Sequence, residues 1–153
     1  MSALELKIPP VLVTFLFAAA MWLVSRLAPG IPVSTEFKIA GLLLLMACGA
    51  FVGLAGVLSF RKANTTVNPL NPDACSTLVD TGIYRYSRNP MYLALLLALA
   101  AWGLFLENLY AMALMPAFVL YMNRFQIQPE EKTLEAVFGI SFLDYRSRVR
   151  RWL

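Results

Sequence analysis

Two long apolar runs, residues 10–28 and about 38–60, constrain this 153-residue chain more than any other feature. Each is close to the roughly 20 residues that a helix needs to cross about 30 Å of hydrocarbon. The whole chain is 59% hydrophobic and only 14% charged, whereas soluble domains are about 25% charged. These runs therefore predict membrane-spanning helices rather than the core of a water-soluble domain.

Two shorter apolar runs, residues 90–106 and 109 to about 125, are joined only by Glu107 and Asn108. This spacing predicts a tight helical hairpin, with Pro90 in the first turn of its first helix, where a missing N–H costs nothing. The arms are a little short for a bilayer, so tilting, local thinning or a partly re-entrant hairpin all stay open. We predict an all-α polytopic membrane protein with about four transmembrane helices.

Basic residues divide unevenly between the two sides of such a topology. With four spans, the N-terminus, residues 61–89 and residues 126–153 share one side. That side carries Lys7, Arg61, Lys62, Arg85, Arg88, Lys132, Arg146, Arg148, Arg150 and Arg151, with Arg124 at the membrane edge. The other side has only Arg26 and Lys38. Because basic residues accumulate in cytoplasmic loops, both termini and the active site are predicted to be cytoplasmic. The net charge of +4 then suits anionic lipid headgroups, and no nucleic-acid partner is predicted. Lipid headgroups are the predicted partners of the four arginines near the end of the chain, Arg146, Arg148, Arg150 and Arg151.

The sequence offers no histidine and no pair of cysteines at metal or redox spacing. Cys48 lies within an apolar run and Cys75 in a polar segment, so both are predicted to be unpaired. The missing histidine removes the commonest general base and the commonest metal ligand, and no metal site is predicted.

Two polar segments carry the remaining chemistry. The first ends in GIYRYSRNPMY, residues 82–92, directly before the third apolar run. The second begins QPEE at residue 128, which is typical of a helix start with proline and acidic residues at the positive end of the dipole. An apolar stripe there predicts an amphipathic interfacial helix ending at Trp152 and Leu153; the stripe contains Leu134, Val137, Phe138 and Phe142.

The ordered set STLVDTGIYRYSRNPMY, a hairpin, PEEKTLEAVFG and FLDYRSRVRRWL resembles the isoprenylcysteine carboxyl methyltransferase family and its phospholipid-methyltransferase relatives. The resemblance covers about residues 64–153 and implies that this part forms the cofactor-binding and catalytic region of one 1–153 domain, with residues 1–60 as two scaffold helices. It also implies an integral membrane enzyme that transfers a methyl group from S-adenosylmethionine to a lipophilic or membrane-presented acceptor.

Carried over by position, the resemblance implies cofactor-binding roles for ten residues: Ser76, Thr77, Leu78, Val79, Tyr84, Asn89, Pro90, Met91, Tyr92 and Glu130. A carboxylate such as Glu130 can accept hydrogen bonds from the ammonium and ribose hydroxyls of the cofactor, and aromatic faces attract its cationic centre. Three further residues are predicted to be catalytic: Arg88, Arg124 and Glu131. Arg88 would bind the cofactor carboxylate or an anionic acceptor, Arg124 would bind the acceptor, and Glu131 would accept a proton.

The sequence departs from the family pattern at two positions. Asn89 stands where the prenylcysteine enzymes have histidine, and Gln126 stands where their substrate arginine is expected. Arg124 is the nearest substitute for that arginine, about half a helical turn away. Without a histidine base, an acceptor that is already anionic, a prenylcysteine-like carboxylate or the thiolate of a thiol, is favoured. An amine stays open, since Glu131, a tyrosine or water could take its proton.

Three other functions stay open from sequence: a phospholipid amine N-methyltransferase, a membrane reductase that uses a nicotinamide cofactor, and a non-catalytic scaffold. In a scaffold, Arg85 and Arg88 would anchor a helix at the interface, the tyrosines would form an aromatic belt, and Glu130 would cap a helix. The joint order of these motifs favours the methyltransferase, because anchoring alone does not require it. The oligomeric state is left open.

Overall fold

The computed structural model describes residues 6–63 and 78–153, and these residues are helical, with no β-strand among them. The all-α prediction is confirmed for this part of the chain. Its α-helices are α1 (Pro10–Leu27), α2 (Thr35–Lys62), α3 (Pro90–Phe105), α4 (Leu109–Met112), α5 (Met115–Met122), α6 (Gln128–Phe138) and α7 (Ile140–Arg148). A 3-10 turn, Gly82–Arg85, precedes α3, and a π-helical turn, Asn123–Ile127, joins α5 to α6.

Helices α1 and α2 are long and apolar enough to cross a membrane. Large apolar side chains of α2 point away from the protein; Leu43, Phe51 and Leu54 are each more than 60% exposed. An apolar surface of this extent is rare on a soluble monomer, whereas in a bilayer it faces hydrocarbon. These two helices indicate a membrane protein.

Glycines let α2 pack closely along α3. A Cβ atom at Gly49 would lie 3.5 Å from the Ala94 carbonyl oxygen, and one at Gly53 would lie 3.4 Å from the Ala94 Cβ. One at Gly56 would lie 3.2 Å from Met91 Cγ. Small residues at such contacts bring helix backbones together inside membranes. The end of α2 thereby holds the beginning of α3, where the sequence motif lies.

The turn between α3 and α4 lies at Glu107 and Asn108, as the sequence predicts. The Asn108 side chain accepts a hydrogen bond from the backbone N–H of Ala111 at 2.9 Å and so caps α4. The same side chain donates to the carbonyl oxygen of Ala28 at 3.0 Å, and Lys38 forms a 2.7 Å ion pair with Glu107. These contacts bring the α1–α2 connection and the hairpin turn together at one end of the helices.

The second arm of the hairpin is not the single helix that the run 109–125 predicts. It divides between α4 and α5 at Ala113 and Leu114. Pro116 explains the break, because its nitrogen cannot donate to the Met112 carbonyl and its ring crowds that carbonyl in a regular helix. This arm is therefore built from two helices.

The expected helix start at Gln128 is also corrected. Ile127 already has helical backbone angles, so α6 continues the π-helical turn instead of starting afresh, and Glu130 does not stand at a free helix end. Pro129 has no N–H for the carbonyl oxygen of Phe125, four residues earlier. The backbone N–H of Leu6 donates to that oxygen instead, at 3.1 Å.

The interfacial helix predicted near the end of the chain is two helices, α6 and α7, separated by Gly139. Gly139 has φ +51°, a left-handed conformation that glycine adopts without strain. Leu134, Phe138 and Phe142 pack into one apolar cluster with Tyr84, as the predicted stripe requires. Val137 does not, since its side chain is 42% exposed.

Candidate cofactor-binding site

The sequence motifs meet at the end of the helices opposite the α3–α4 turn. The side chain of Gln126 donates to the Ile8 carbonyl oxygen at 2.7 Å, which joins the π-helical turn to the segment before α1. The indole N–H of Trp152 donates to the Asn123 side chain at 3.0 Å, which adds the segment after α7. The start of α3 lies at this end too, beside Gly56.

Glu130 and Tyr92 form the centre of the candidate site. The Tyr92 hydroxyl donates a hydrogen bond to Glu130 Oε1, so α3 and α6 contact each other through these two side chains. Burial raises the pKa of Tyr84, and the charge of the Glu130 carboxylate raises it to a smaller extent. The Tyr84 phenol therefore lies close enough to Glu130 to be affected by its charge. The Tyr84 ring also packs edge-to-face on Phe60, with 5.3 Å between centroids. Two aromatic side chains thus accompany one half-buried carboxyl group.

The Glu130 carboxyl has a pKa near neutral pH, so its charged and neutral forms have similar free energies at pH 7. Burial raises its pKa to about 7, the Tyr92 hydrogen bond pulls the pKa down, and repulsion from Glu131 pushes it up. A positive charge placed beside this carboxyl would favour its charged form. The site therefore has the electrostatic character of a cation-binding site.

Glu131, the next residue, is in the opposite situation. Its carboxylate accepts from Arg88 Nη2 at 2.7 Å and from Arg151 at 3.1 Å (Nε) and 2.6 Å (Nη2). Burial alone would raise the pKa of Glu131, but the hydrogen bonds from Arg151 and Arg88 outweigh it, so the pKa is lowered. The surroundings of the two adjacent glutamates on α6 thus shift their pKa values in opposite directions, upward for Glu130 and downward for Glu131.

Arg88 also binds the backbone that follows α7. Its Nη1 donates to the carbonyl oxygens of Val149 and, at 3.0 Å, Arg146, and its backbone N–H donates to the carbonyl oxygen of Arg150 at 3.0 Å. Its Nε is buried and has no hydrogen-bond partner among the residues that the structure describes.

The other predicted site residues fall into three groups. Asn89 and Pro90 stand at the start of α3; the Asn89 side chain donates to the Arg151 carbonyl oxygen at 2.9 Å, and Pro90 is buried. Met91 borders α2, while Leu78 and Val79 belong to the apolar cluster around Tyr84. Ser76 and Thr77 lie outside the described residues.

Arg124 and Gln126 lie on opposite sides of the π-helical turn. Gln126, which occupies the position of the expected substrate arginine, is buried against Ile8. Arg124 is exposed, with its guanidinium 5.4 Å from the ring centroid of Phe125.

Sequence reasoning missed the contribution of the 149–152 segment. The sequence analysis assigned all four arginines of RSRVRR to lipid headgroups, yet Arg151 binds Glu131 inside the protein while Arg150 is exposed. The sequence of four arginines within six residues contains no signal that separates the one bound to Glu131 from its neighbours. Tyr145 was also missed, because no sequence signal pairs it with the 3-10 turn. Its hydroxyl donates to the Tyr84 carbonyl oxygen at 2.8 Å.

Comparison with known proteins identifies the family. The family model described as phospholipid methyltransferase matches residues 37–141, more than half of the chain. The chain belongs to the phospholipid methyltransferase family. The match begins within α2, for which the sequence analysis found no motif, and it includes Tyr84, Tyr92 and Glu130.

Family membership indicates a methyltransferase with a lipid-related substrate. An uncharacterized protein of Haemophilus influenzae is 49% identical over 63 residues, which is its full length and 41% of this chain. No solved structure matches the chain.

Proposed function

We propose that this protein is an S-adenosylmethionine-dependent methyltransferase whose cofactor is held by Glu130, Tyr92 and Tyr84. The observation that carries the proposal is the half-buried Glu130 carboxyl, which pairs with the Tyr92 hydroxyl at the end of the helices where the motifs meet. When bound, S-adenosylmethionine supplies a methyl group on a positively charged sulfur. A methyl transfer of this kind asks the protein mainly to orient the two reactants and exclude water.

The residues at the site fit such a ligand chemically. The Glu130 carboxylate can accept from an ammonium or ribose hydroxyl, and the tyrosine rings can face a cation. Leu78, Val79 and Met91 provide apolar surface beside them. The unsatisfied Nε of Arg88 is a buried donor suited to a carboxylate of the cofactor or of an anionic acceptor.

We propose a lipophilic acceptor whose reacting group is a carboxylate, as in prenylcysteine, or a thiol. Glu131 supports this choice, because a carboxylate held by two guanidinium groups is a weak proton acceptor. An anionic nucleophile needs no base. Arg124, exposed at the same end of the helices, is the candidate for contact with the acceptor.

A phospholipid amine is the second candidate acceptor, and the description of the matching family favours it. Amine methylation requires the loss of a proton. Among the described residues at the centre of the site, Glu130, with its pKa of about 7, is the carboxyl best matched to accept one at neutral pH.

Methyl transfer to membrane-borne acceptors tests this proposal. We expect the protein, reconstituted in vesicles with phosphatidylethanolamine and a farnesylcysteine analogue, to move label from the methyl group of S-adenosylmethionine into the organic phase. Base-labile label would identify a carboxyl methyl ester, and base-stable label on the phospholipid an amine. Oxidation of NADPH without methyl transfer would instead support the reductase, and inactivity with both cofactors the scaffold.

We also propose that α3 and the α4–α5 arm complete four membrane spans, with both termini and the candidate site in the cytoplasm. The Lys38–Glu107 ion pair and the Tyr92–Glu130 hydrogen bond lie at opposite ends of the helices, which supports this arrangement. In a variant with Cys48 and Cys75 replaced by serine, we expect Leu109→Cys to react with an impermeant maleimide from outside intact cells. Arg85→Cys should react only after lysis. The opposite result would invert the orientation, and labelling of both only after lysis would make the hairpin re-entrant.

A further inference from the structure

The segment 149–152 is bound to the candidate site at five points, four through its backbone and Trp152 and one through the Arg151 side chain. Arg88 contacts the carbonyl oxygens of Val149 and Arg150, through its side chain and its backbone N–H respectively. Asn89 binds the carbonyl oxygen of Arg151, and Trp152 binds the Asn123 side chain. Helix α7 ends at Arg148 and Val149 has extended backbone angles, so these carbonyl oxygens lie beyond the helix.

The Arg151 side chain is the strongest of these connections. It forms two hydrogen bonds with Glu131, whose other partner is Arg88, and this gives an Arg88–Glu131–Arg151 ion triad. Side-chain exposure in the triad is 10% for Arg88, 11% for Glu131 and 32% for Arg151. A carboxylate this buried, held by paired hydrogen bonds, has little freedom to move.

The triad adjoins both members of the central pair. Glu131 is the neighbour of Glu130 on α6, and Arg88 precedes Tyr92 by four residues at the beginning of α3. A shift of α6 against α3 would therefore alter the triad and the Tyr92–Glu130 hydrogen bond together. The family match ends at residue 141, so Arg151 comes from outside the part of the chain that the match covers.

We propose that Arg151 is a positioning residue: by holding Glu131 against Arg88, it fixes α6 on α3 so that Glu130 meets Tyr92. The segment 149–152 is then an integral part of the site rather than a lipid-facing tail. This proposal deepens the proposed function and rests on it only where cofactor affinity is concerned.

The test compares Arg151→Gln with Arg150→Gln, a matched control at an exposed neighbour. We expect Arg151→Gln to lower the affinity for S-adenosylhomocysteine by about five- to tenfold, as for residues that share one network, and Arg150→Gln to change it less than about twofold. Arg151→Lys keeps the charge but cannot form the paired hydrogen bonds, so its affinity should lie between those of Arg151→Gln and Arg150→Gln. If Arg151→Gln fails to fold, Arg151→Lys takes its place in every comparison.

A second readout needs no ligand. The chain contains no histidine, and within residues 6–63 and 78–153 the Glu130 carboxyl has a pKa of about 7. A raised folded-state pKa means that the unfolded protein ionises first, so the stabilising contribution of Glu130 is complete below about pH 4.5 and is lost as the pH rises to about 7. The apparent Tm of the parent protein should fall across this range, and Glu130→Gln should abolish the fall.

Arg151→Gln should displace this fall of the apparent Tm to higher pH. The Tyr92 hydrogen bond lowers the pKa of Glu130, so a weakened bond lets that pKa rise. Glu131 on α6 and Tyr84 on the 3-10 turn also interact with Glu130. A uniform drop in Tm with an unmoved midpoint and unchanged affinity would make Arg151 merely structural and overturn the proposal. If Arg151→Gln moves the midpoint but the parent protein binds no S-adenosylhomocysteine, the positioning role is upheld and the proposed function is defeated.

Discussion

Replacing Arg88 with methionine should lower the free energy of unfolding by about 3 kcal/mol or more, the usual cost of removing one partner from a buried ion pair. The change leaves Glu131 with one guanidinium in place of two. It also leaves the carbonyl oxygens of Val149 and Arg146 without the donor that Arg88 supplies. Denaturant titration in mixed micelles measures the loss.

Arg148→Met is the matched control for this prediction. Arg148 pairs with Asp144 on the surface of α7, where both side chains are more than half exposed. Exposed pairs of this kind contribute about 0–1 kcal/mol. Equal losses in the two variants would mean that the buried triad does not join α3 to α6 in the membrane-embedded protein.

Regular features of the fold could be predicted from sequence because each depends on local physics. The runs 10–28 and 38–60 predict α1 and α2 through length and apolar composition alone, and the turn at Glu107 and Asn108 follows from the single polar interruption. The departures from the prediction fall at two prolines and at Gly139, which divides the predicted interfacial helix into α6 and α7. Pro116 breaks the second arm, and Pro129 lies inside a helix because Leu6, remote in sequence, satisfies the carbonyl oxygen that it leaves free.

The site was accessible to sequence reasoning only through the motif residues. Tyr84, Tyr92 and Glu130 lie close together, and their role in binding a cofactor stays a prediction. The different surroundings of Glu130 and Glu131 could not be predicted, because they depend on Arg151, twenty residues further along the chain. Composition and charge patterning treat every arginine of that segment alike, whereas burial against α6 separates them.

Glu130→Gln should weaken the binding of S-adenosylhomocysteine by on the order of 1.5–3 kcal/mol, roughly 10- to 150-fold, because a charge-assisted hydrogen bond is lost while shape is kept. The affinity of the parent protein should rise with pH through about 7, the pKa of Glu130. Below that pH, binding of the ligand ammonium must displace a proton from the carboxyl. The glutamine variant should show no such rise, since it has nothing to titrate at this position.

The central claim is that the Glu130 carboxylate holds the cofactor. Calorimetric titration of S-adenosylhomocysteine at pH 6 and pH 8 tests this claim most directly. The proteins compared are the parent, Glu130→Gln and Glu135→Gln, the last a control on the exposed side of α6. We predict tighter binding at pH 8 for the parent and Glu135→Gln, and weak, pH-independent binding for Glu130→Gln. Equal affinities in all three proteins at both pH values would contradict the claim and remove Glu130 from the cofactor site.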